Sequence, residues 1–141
     1  MSSIQKSLRL PETAVKDIES LAENTGKDFS GLVRDLLMEA IKMRRCPGIV
    51  FADSALGKRA RIAGSGIDVW EVIATFRGLQ EDYEKLKKAY HWFNDQQIRS
   101  ALSYYALYSE EIDEIIDQNE RMTQDEIVKK FPFLAKPDKN R

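Results

Sequence analysis

The hydrophobic pattern at the start of the chain is typical of one strand and then two helices. Polar and apolar positions alternate from Ser3 to Leu10, which predicts a short strand that Pro11 ends. Apolar residues then recur at helical spacing as far as Gly26, a predicted helix stop. Ser30 is the predicted N-cap of a second helix, whose apolar stripe comprises Leu32, Val33, Leu36, Leu37, Ala40 and Ile41. A lone helix pair cannot bury so wide a stripe, so we expect two copies to intertwine.

A second predicted domain starts at residue 47, where Pro47 and Gly48 break the second helix. The apolar run at 49–51 and the basic run at 58–62 predict two short strands, joined by a turn over 52–57. Another turn is predicted at 64–66 because two glycines flank a serine there. Together these segments predict a small β-hairpin at the front of the second domain.

Helical patterns follow the hairpin and lead to a polar tail. Asp68 is the predicted cap of the first of these helices, with Glu71 at the capping-box position, and Gly78 ends it. Further helices are predicted over 81–90, from Asn94 or Asp95, and from Ser109. The expected fold is mostly α, with a small N-terminal unit over 1–46, a second domain over 47–120 and a tail over 121–141.

Composition limits the classes of function. With one cysteine, Cys46, and one histidine, His91, the chain offers neither a disulfide framework nor a structural zinc site. No apolar run approaches the roughly 18 residues of a membrane span, and no secretory signal pattern is present. We therefore expect a cytoplasmic protein without a metal or a cofactor, and with no membrane partner.

The net charge of -1 hides an uneven distribution of charged residues. Residues 66–126 hold six basic and fourteen acidic side chains, a net of -8, whereas the segments on either side are basic. A protein that bound DNA with its whole surface would not be charged in this way. A local DNA-contacting element joined to an acidic second domain fits the distribution.

The strand and two helices at the start of the chain resemble the ribbon-helix-helix family of DNA-binding proteins. The resemblance implies an intertwined homodimer whose two strands form an antiparallel ribbon that enters the major groove of DNA. Successive side chains of a strand point to opposite faces. Leu8 and Leu10 are expected to face inward, because the opposite assignment would bury Arg9. The outward set then consists of Gln5, Ser7 and Arg9.

These outward residues have the chemistry of base recognition. Gln5 can contact adenine and Arg9 can contact guanine, each through two hydrogen bonds, and Ser7 can serve either base. By similarity to the same family, the backbone amides at Ser30 and Gly31 are expected to hold a DNA phosphate at the start of the second helix.

Residues 47–120 carry a second resemblance. They contain, in order, Pro47-Gly48-Ile49-Val50-Phe51, Gly57-Lys58-Arg59-Ala60-Arg61-Ile62-Ala63-Gly64, Asp68-Val69-Trp70-Glu71-Val72 and Ile98-Arg99-Ser100-Ala101-Leu102-Ser103-Tyr104-Tyr105. This resembles domain-of-unknown-function family four-three-three, a small winged-helix-like domain found in VapB-type antitoxins. The family's usual Gly-Thr-Arg-Ile segment is Arg59-Ala60-Arg61-Ile62 here, a departure at the glycine and the threonine. The resemblance implies a PIN-like ribonuclease toxin as partner.

Two basic residues and one tryptophan of the second domain have alternative explanations. Arg59 and Arg61 share one face of the predicted strand. In one explanation they contact a DNA phosphate or an acidic partner. In the other they form a charged edge that prevents aggregation. Trp70 either packs in the core or contributes to a binding interface.

Aromatic residues supply the remaining candidates for partner contact. Three tyrosines span more than one helical face, so at least one is expected at an interface or at the rim of the core: Tyr104, Tyr105 and Tyr108. In the tail, Phe131, Phe133 and Leu134 form an apolar patch among lysines. This segment either folds onto a toxin or packs back on the second domain.

No catalytic arrangement is recognisable in the sequence. His91 has no nucleophile at a recognisable spacing, and the acidic run between Glu110 and Asp117 is typical of a solvated helix face. We therefore expect a non-enzymatic type II antitoxin that also represses its own operator. The alternative is a stand-alone ribbon-helix-helix regulator without a toxin, and an enzyme remains a remote third class.

Overall fold

The chain divides into two units, and the boundary along the sequence lies between Arg45 and Cys46. The computed structural model describes residues 2–54 and 57–134. Over these residues the protein is mostly helical, with six α-helices, one 3-10 helix and one antiparallel pair of strands. No helix in these two ranges combines the length and the apolar character needed to cross a membrane.

The first unit contains two helices, α1 (Glu12–Thr25) and α2 (Phe29–Arg45). Gly26 adopts a left-handed conformation with φ of 70° and ends α1, as predicted. The predicted cap of α2 is wrong, because α2 begins before Ser30. The carboxylate of Asp28 accepts a hydrogen bond from the backbone N–H of Gly31 at 2.9 Å and thereby caps the first turn.

The predicted N-terminal strand is not present in the single chain. Residues 2–10 have no regular secondary structure. A strand needs a neighbour whose N–H and C=O groups complete its hydrogen bonds, and no described segment of the same chain pairs with this one. The predicted ribbon therefore depends on a second copy.

The second unit begins with the predicted hairpin, formed by β1 (Ile49–Ser54) and β2 (Gly57–Ile62). The strands are antiparallel, with Ile49 opposite Ile62 and Ser54 opposite Gly57. They extend further than predicted, because residues 52–54 pair with 57–59 instead of belonging to the turn. Residues 55 and 56 of that predicted turn lie outside the described residues.

Four helices and a short 3-10 helix follow the hairpin: α3 (Val69–Gly78), α4 (Tyr83–Ala89), α5 (Asp95–Leu107), α6 (Ser109–Lys130) and η1 (Pro132–Leu134). Two predicted caps are confirmed. The backbone N–H of Asp68 donates to the carboxylate of Glu71 at 2.7 Å, and Asn94 and Gln97 form a reciprocal capping box at the start of α5. Tyr108, rather than Ser109, occupies the cap position of α6.

Residues from the hairpin and all four helices build the core of the second unit. The side chains with 2% exposure or less are Cys46, Ile49, Ile62, Val69, Val72, Ile73, Leu86, Ile98, Ala101, Tyr104 and Ile112. Gly48 at the entrance to the hairpin has φ of 93°, and a Cβ there would lie 2.9 Å from the Ser100 hydroxyl oxygen. Because glycine has no Cβ, α5 can approach the start of the hairpin closely, and only glycine fits at position 48.

Helix α6 continues beyond the core, through the segment predicted as a tail. Ile112 and Ile116 are its buried residues, and from 117 to 130 its side chains are exposed except for the half-buried Val128. Residues 121–130 nevertheless remain helical because most of them are good helix formers. An ion pair between Asp117 and Arg121, one turn apart at 2.6 Å, adds a small local stabilisation.

Candidate interaction surfaces

The N-terminal unit has almost no core of its own. Leu32 is the only buried residue in its two helices, at 5% exposure. Eight large apolar side chains of this unit are 38–79% exposed, and we call them the N-terminal apolar surface: Ile4, Leu8, Leu10, Leu21, Leu37, Met38, Ile41 and Met43. So many exposed apolar side chains on about 45 residues are typical of a surface that another chain covers.

The predicted DNA-reading residues lie in the segment without regular structure. Gln5, Ser7 and Arg9 are all exposed in the single chain. Leu8, predicted to face inward, is 71% exposed, and Leu10 is 38% exposed. Burial of these leucines therefore requires contact with a second chain, because the single chain does not cover them.

The predicted phosphate anchor at the start of α2 already holds an anionic group. The Gly31 amide donates to the Asp28 carboxylate, and a Cβ at position 31 would lie 2.5 Å from the same oxygen. Ser30 is exposed beside it. To bind this amide, a DNA phosphate would have to displace the Asp28 carboxylate. The two negative charges would then lie close together and repel each other.

Arg61 is held within the second unit. Its Nε donates to Asp68 Oδ1 at 2.8 Å, and its side chain is 29% exposed. The other Asp68 oxygen accepts a hydrogen bond from Trp70 Nε1 at 3.3 Å. Asp68 therefore joins β2 to the start of α3, and it neutralises the charge that Arg61 was predicted to offer to a phosphate.

Arg59 has a different environment from Arg61, although the two alternate on β2. It borders a groove between the hairpin and α6, which we call the hairpin groove, together with Ile115 and Gln118. Trp70 borders one end of this groove and is half-buried against the core. The opposite end carries charges of both signs, from Lys58, Glu111 and Glu114. Trp70 therefore packs partly against the core, and the exposed part of its side chain borders the groove.

The three tyrosines of the predicted partner surface lie in different places. Tyr104 is wholly buried, and its hydroxyl donates to the carboxylate of Glu111. Burial, reinforced by this hydrogen bond, raises the pKa of the Tyr104 hydroxyl. The prediction that Tyr104 contacts a partner is therefore wrong, because it has no exposed surface. Tyr108 is half-buried and packs its ring 4.8 Å from that of Tyr104.

Tyr105 belongs to a polar cluster that joins three helices. Its hydroxyl donates to Asp113 Oδ1 at 2.8 Å and accepts from an Arg77 guanidinium nitrogen at 2.6 Å. Arg77 also forms an ion pair with Asp113. The Tyr105 hydrogen bond, together with Arg77, lowers the pKa of the Asp113 carboxyl. The sequence did not predict this cluster of α3, α5 and α6, because Arg77 lies 28 positions before Tyr105 and 36 positions before Asp113.

The end of α6 and η1 present a second set of exposed apolar residues. We call this set the C-terminal apolar surface: Met122 (44% exposed), Ile127 (45%), Phe131 (42%), Phe133 (81%) and Leu134 (51%). The Phe131 and Phe133 rings lie 6.0 Å apart. None of these residues belongs to the core cluster of the second unit, so packing of this patch back onto that core does not occur over the described residues. The rest of the predicted tail, 135–141, lies outside the described residues.

Metal chemistry and comparisons with known proteins add no further site. Among the described residues, no group of three histidine, cysteine, aspartate or glutamate side chains is arranged to hold a metal ion. No family model, no curated protein and no solved structure matches this chain.

Proposed function

We propose that this protein is an operator-binding homodimer that also neutralises a PIN-like ribonuclease, as antitoxins of type II toxin–antitoxin systems do. The observation that carries the proposal is the N-terminal apolar surface. It includes Leu8 and Leu10, which alternate with the proposed base-reading residues. A second copy that covers these leucines also brings the two N-terminal segments together as a ribbon, with Gln5, Ser7 and Arg9 on its outer face.

Electrostatics favour a DNA contact limited to this unit. Residues 1–46 carry a net charge of +1, whereas residues 66–126 carry a sum of -8, which disfavours a duplex spread over the whole of that block. Arg61 adds little to DNA attraction because Asp68 already neutralises it. We therefore assign the operator contact to the ribbon, and we leave Arg61 out of it.

The proposed ribonuclease contact uses the C-terminal apolar surface and the adjacent lysines. Phe131, Phe133 and Leu134 are exposed beside Lys129 and Lys130 at the end of a helix that extends beyond the core. A nuclease of the PIN type has an acidic metal-binding pocket, which basic side chains could occupy in place of metal or RNA. Trp70 and the hairpin groove provide a second apolar contact on the same unit.

Co-purification with the product of the neighbouring gene tests the proposed function. Size exclusion with light scattering should find a stable complex with a small nuclease, inactive until the complex is dissociated. Removal of residues 121–141 should release the nuclease activity. Retention of full neutralisation after this truncation would refute the proposed contact surface.

The second candidate function is a stand-alone repressor. The same N-terminal apolar surface favours it equally, because a ribbon needs a second copy of this chain and no nuclease. A dimer that binds its own promoter and captures no nuclease from the neighbouring gene would establish this alternative.

A further inference from the structure

One segment of the acidic second unit is basic. Four of the six basic residues in 66–126 fall within residues 83–99, namely Lys85, Lys87, Lys88 and Arg99. Only Glu84 and Asp95 oppose them there, so this segment has a net charge of +2 within a block of -8, and the acidic Glu81 and Asp82 stand before it. The net positive charge lies on α4, because Asp95 offsets Arg99 at the start of α5.

Two lysines of α4 are placed to meet an external anion. Lys87 is already engaged, since its Nζ lies 3.4 Å from Asp95 Oδ1. Lys85 and Lys88 are exposed, and at three residues apart they share one side of the helix. The buried Leu86 fixes the orientation of α4 against the core and keeps both lysines in solvent.

An exposed aromatic platform follows directly after these lysines. Trp92 is 57% exposed, which is unusual for so large an apolar side chain. Its ring packs edge-on against Tyr90 at 5.4 Å and against the exposed His91 at 5.1 Å. Tyr90 is buried, stacks on Phe93 and lies with its hydroxyl 3.2 Å from that of Thr75. The platform is therefore anchored in the core while one indole is presented to solvent.

We infer that Lys85, Lys88, His91 and Trp92, four exposed residues within eight consecutive positions that we call the lysine–tryptophan surface, bind a single strand of nucleic acid. An unpaired base has a free face that can stack on an exposed indole, and the flanking phosphates attract lysines. Bases within a duplex stack on one another, so they have no free face on which the Trp92 indole can stack. RNA and single-stranded DNA share this chemistry, and the inference is independent of the proposed function.

Anisotropy of labelled oligouridylate and oligothymidylate, titrated with the full-length protein, tests this inference. Stacking contributes about 1–3 kcal/mol per base, so Trp92→Ala should weaken binding by about 5-fold to 150-fold. Trp92→Phe keeps an aromatic face and should retain part of the affinity. Lys85→Gln with Lys88→Gln should reduce the salt dependence of log K by about 0.7 for each lysine. Comparison of the two oligonucleotides shows whether the 2′-hydroxyl contributes.

Matched variants separate this surface from the rest of the chain. Leu107→Ala removes another exposed apolar side chain of the second unit, and Arg121→Gln removes another exposed charge. Both should bind single strands as the unmodified protein does. Thermal unfolding must show that Trp92→Ala is folded, and if it is not, an unchanged salt dependence of binding by the Lys85→Gln and Lys88→Gln double variant would overturn the inference. Single-strand affinity that is unchanged in the folded Trp92 variant, or weakened equally by Leu107→Ala, would overturn the inference.

Discussion

Arg61 Nε donates a hydrogen bond to Asp68 Oδ1 at 2.8 Å, and this pair joins β2 to the first turn of α3. Asp68 is 8% exposed and also accepts from Trp70 Nε1, so its carboxylate serves two elements at once. The pair explains why Arg61 differs from Arg59, although the two alternate on one strand. Arg61 stabilises the second unit, whereas Arg59 borders the hairpin groove.

The Arg61–Asp68 pair should make a measurable contribution to folding. Asp68→Ala removes both side-chain hydrogen bonds at the start of α3, and we expect a loss of about 2 kcal/mol in the free energy of unfolding. Arg59→Ala is the matched control, with an expected change within about 0.5 kcal/mol. Urea unfolding followed by circular dichroism gives both values. Equal stability of the two variants would contradict the structural role of the pair.

The Asp28 cap should weaken DNA binding at the start of α2. Asp28→Asn keeps an oxygen that accepts from the Gly31 amide but removes the negative charge. If a DNA phosphate approaches this helix end, we expect affinity for duplex DNA to rise about 2-fold to 5-fold at low salt, which corresponds to about 0.3–1 kcal/mol. Anisotropy of a labelled duplex measures the change. An unaltered affinity would mean that no phosphate approaches this helix end.

The Tyr105–Asp113–Arg77 cluster should stabilise the second unit in a pH-dependent manner. The folded-state pKa of Asp113 lies below its ordinary value of about 4, so its stabilising effect is complete above pH 4 and is lost as the pH falls through the lower, folded-state pKa. Asp113→Asn should therefore reduce the urea midpoint at pH 7 and should differ less from the unmodified protein at pH 3. A difference that grows on acidification would contradict this assignment.

The N-terminal apolar surface should be the dimer interface. Leu37 is 55% exposed in the single chain, and Leu37→Glu would place a charge in that interface. We expect light scattering to give twice the 16.2 kDa chain mass for the unmodified protein and a shift toward 16.2 kDa for the variant. Leu107→Glu is the matched control, because Leu107 is also 55% exposed but belongs to α5. Dissociation by both substitutions, or by neither, would argue against this interface.

Local signals in the sequence predicted the elements well. Gly26, Asp68 with Glu71, and Asn94 end or cap helices through contacts within a few residues, and the structure confirms each of them. The hairpin was also predicted because its two strands are adjacent in the chain. Such features depend on short-range chemistry, which a single sequence carries directly.

Interactions between distant residues were not predictable in the same way. Tyr104 was one of three candidates for partner contact because helical periodicity does not tell which of three neighbouring tyrosines meets the core. The Arg77–Asp113 pair spans 36 positions, and only the packing of α3 against α6 brings it together. The Asp28 cap was missed for a different reason, since Asp28 and Ser30 are equally good caps by residue type.

The proposed function requires that paired N-terminal segments read operator DNA. Its most direct test is the affinity of Arg9→Ala for a duplex taken from the promoter of its own gene, with Arg121→Ala as control and light scattering to verify the dimer. Loss of one bidentate guanine contact should weaken binding by about 1–3 kcal/mol, or about 5-fold to 150-fold, while the control and the dimer mass stay unchanged. An intact Arg9→Ala dimer that binds the duplex as tightly as the unmodified protein would contradict the claim.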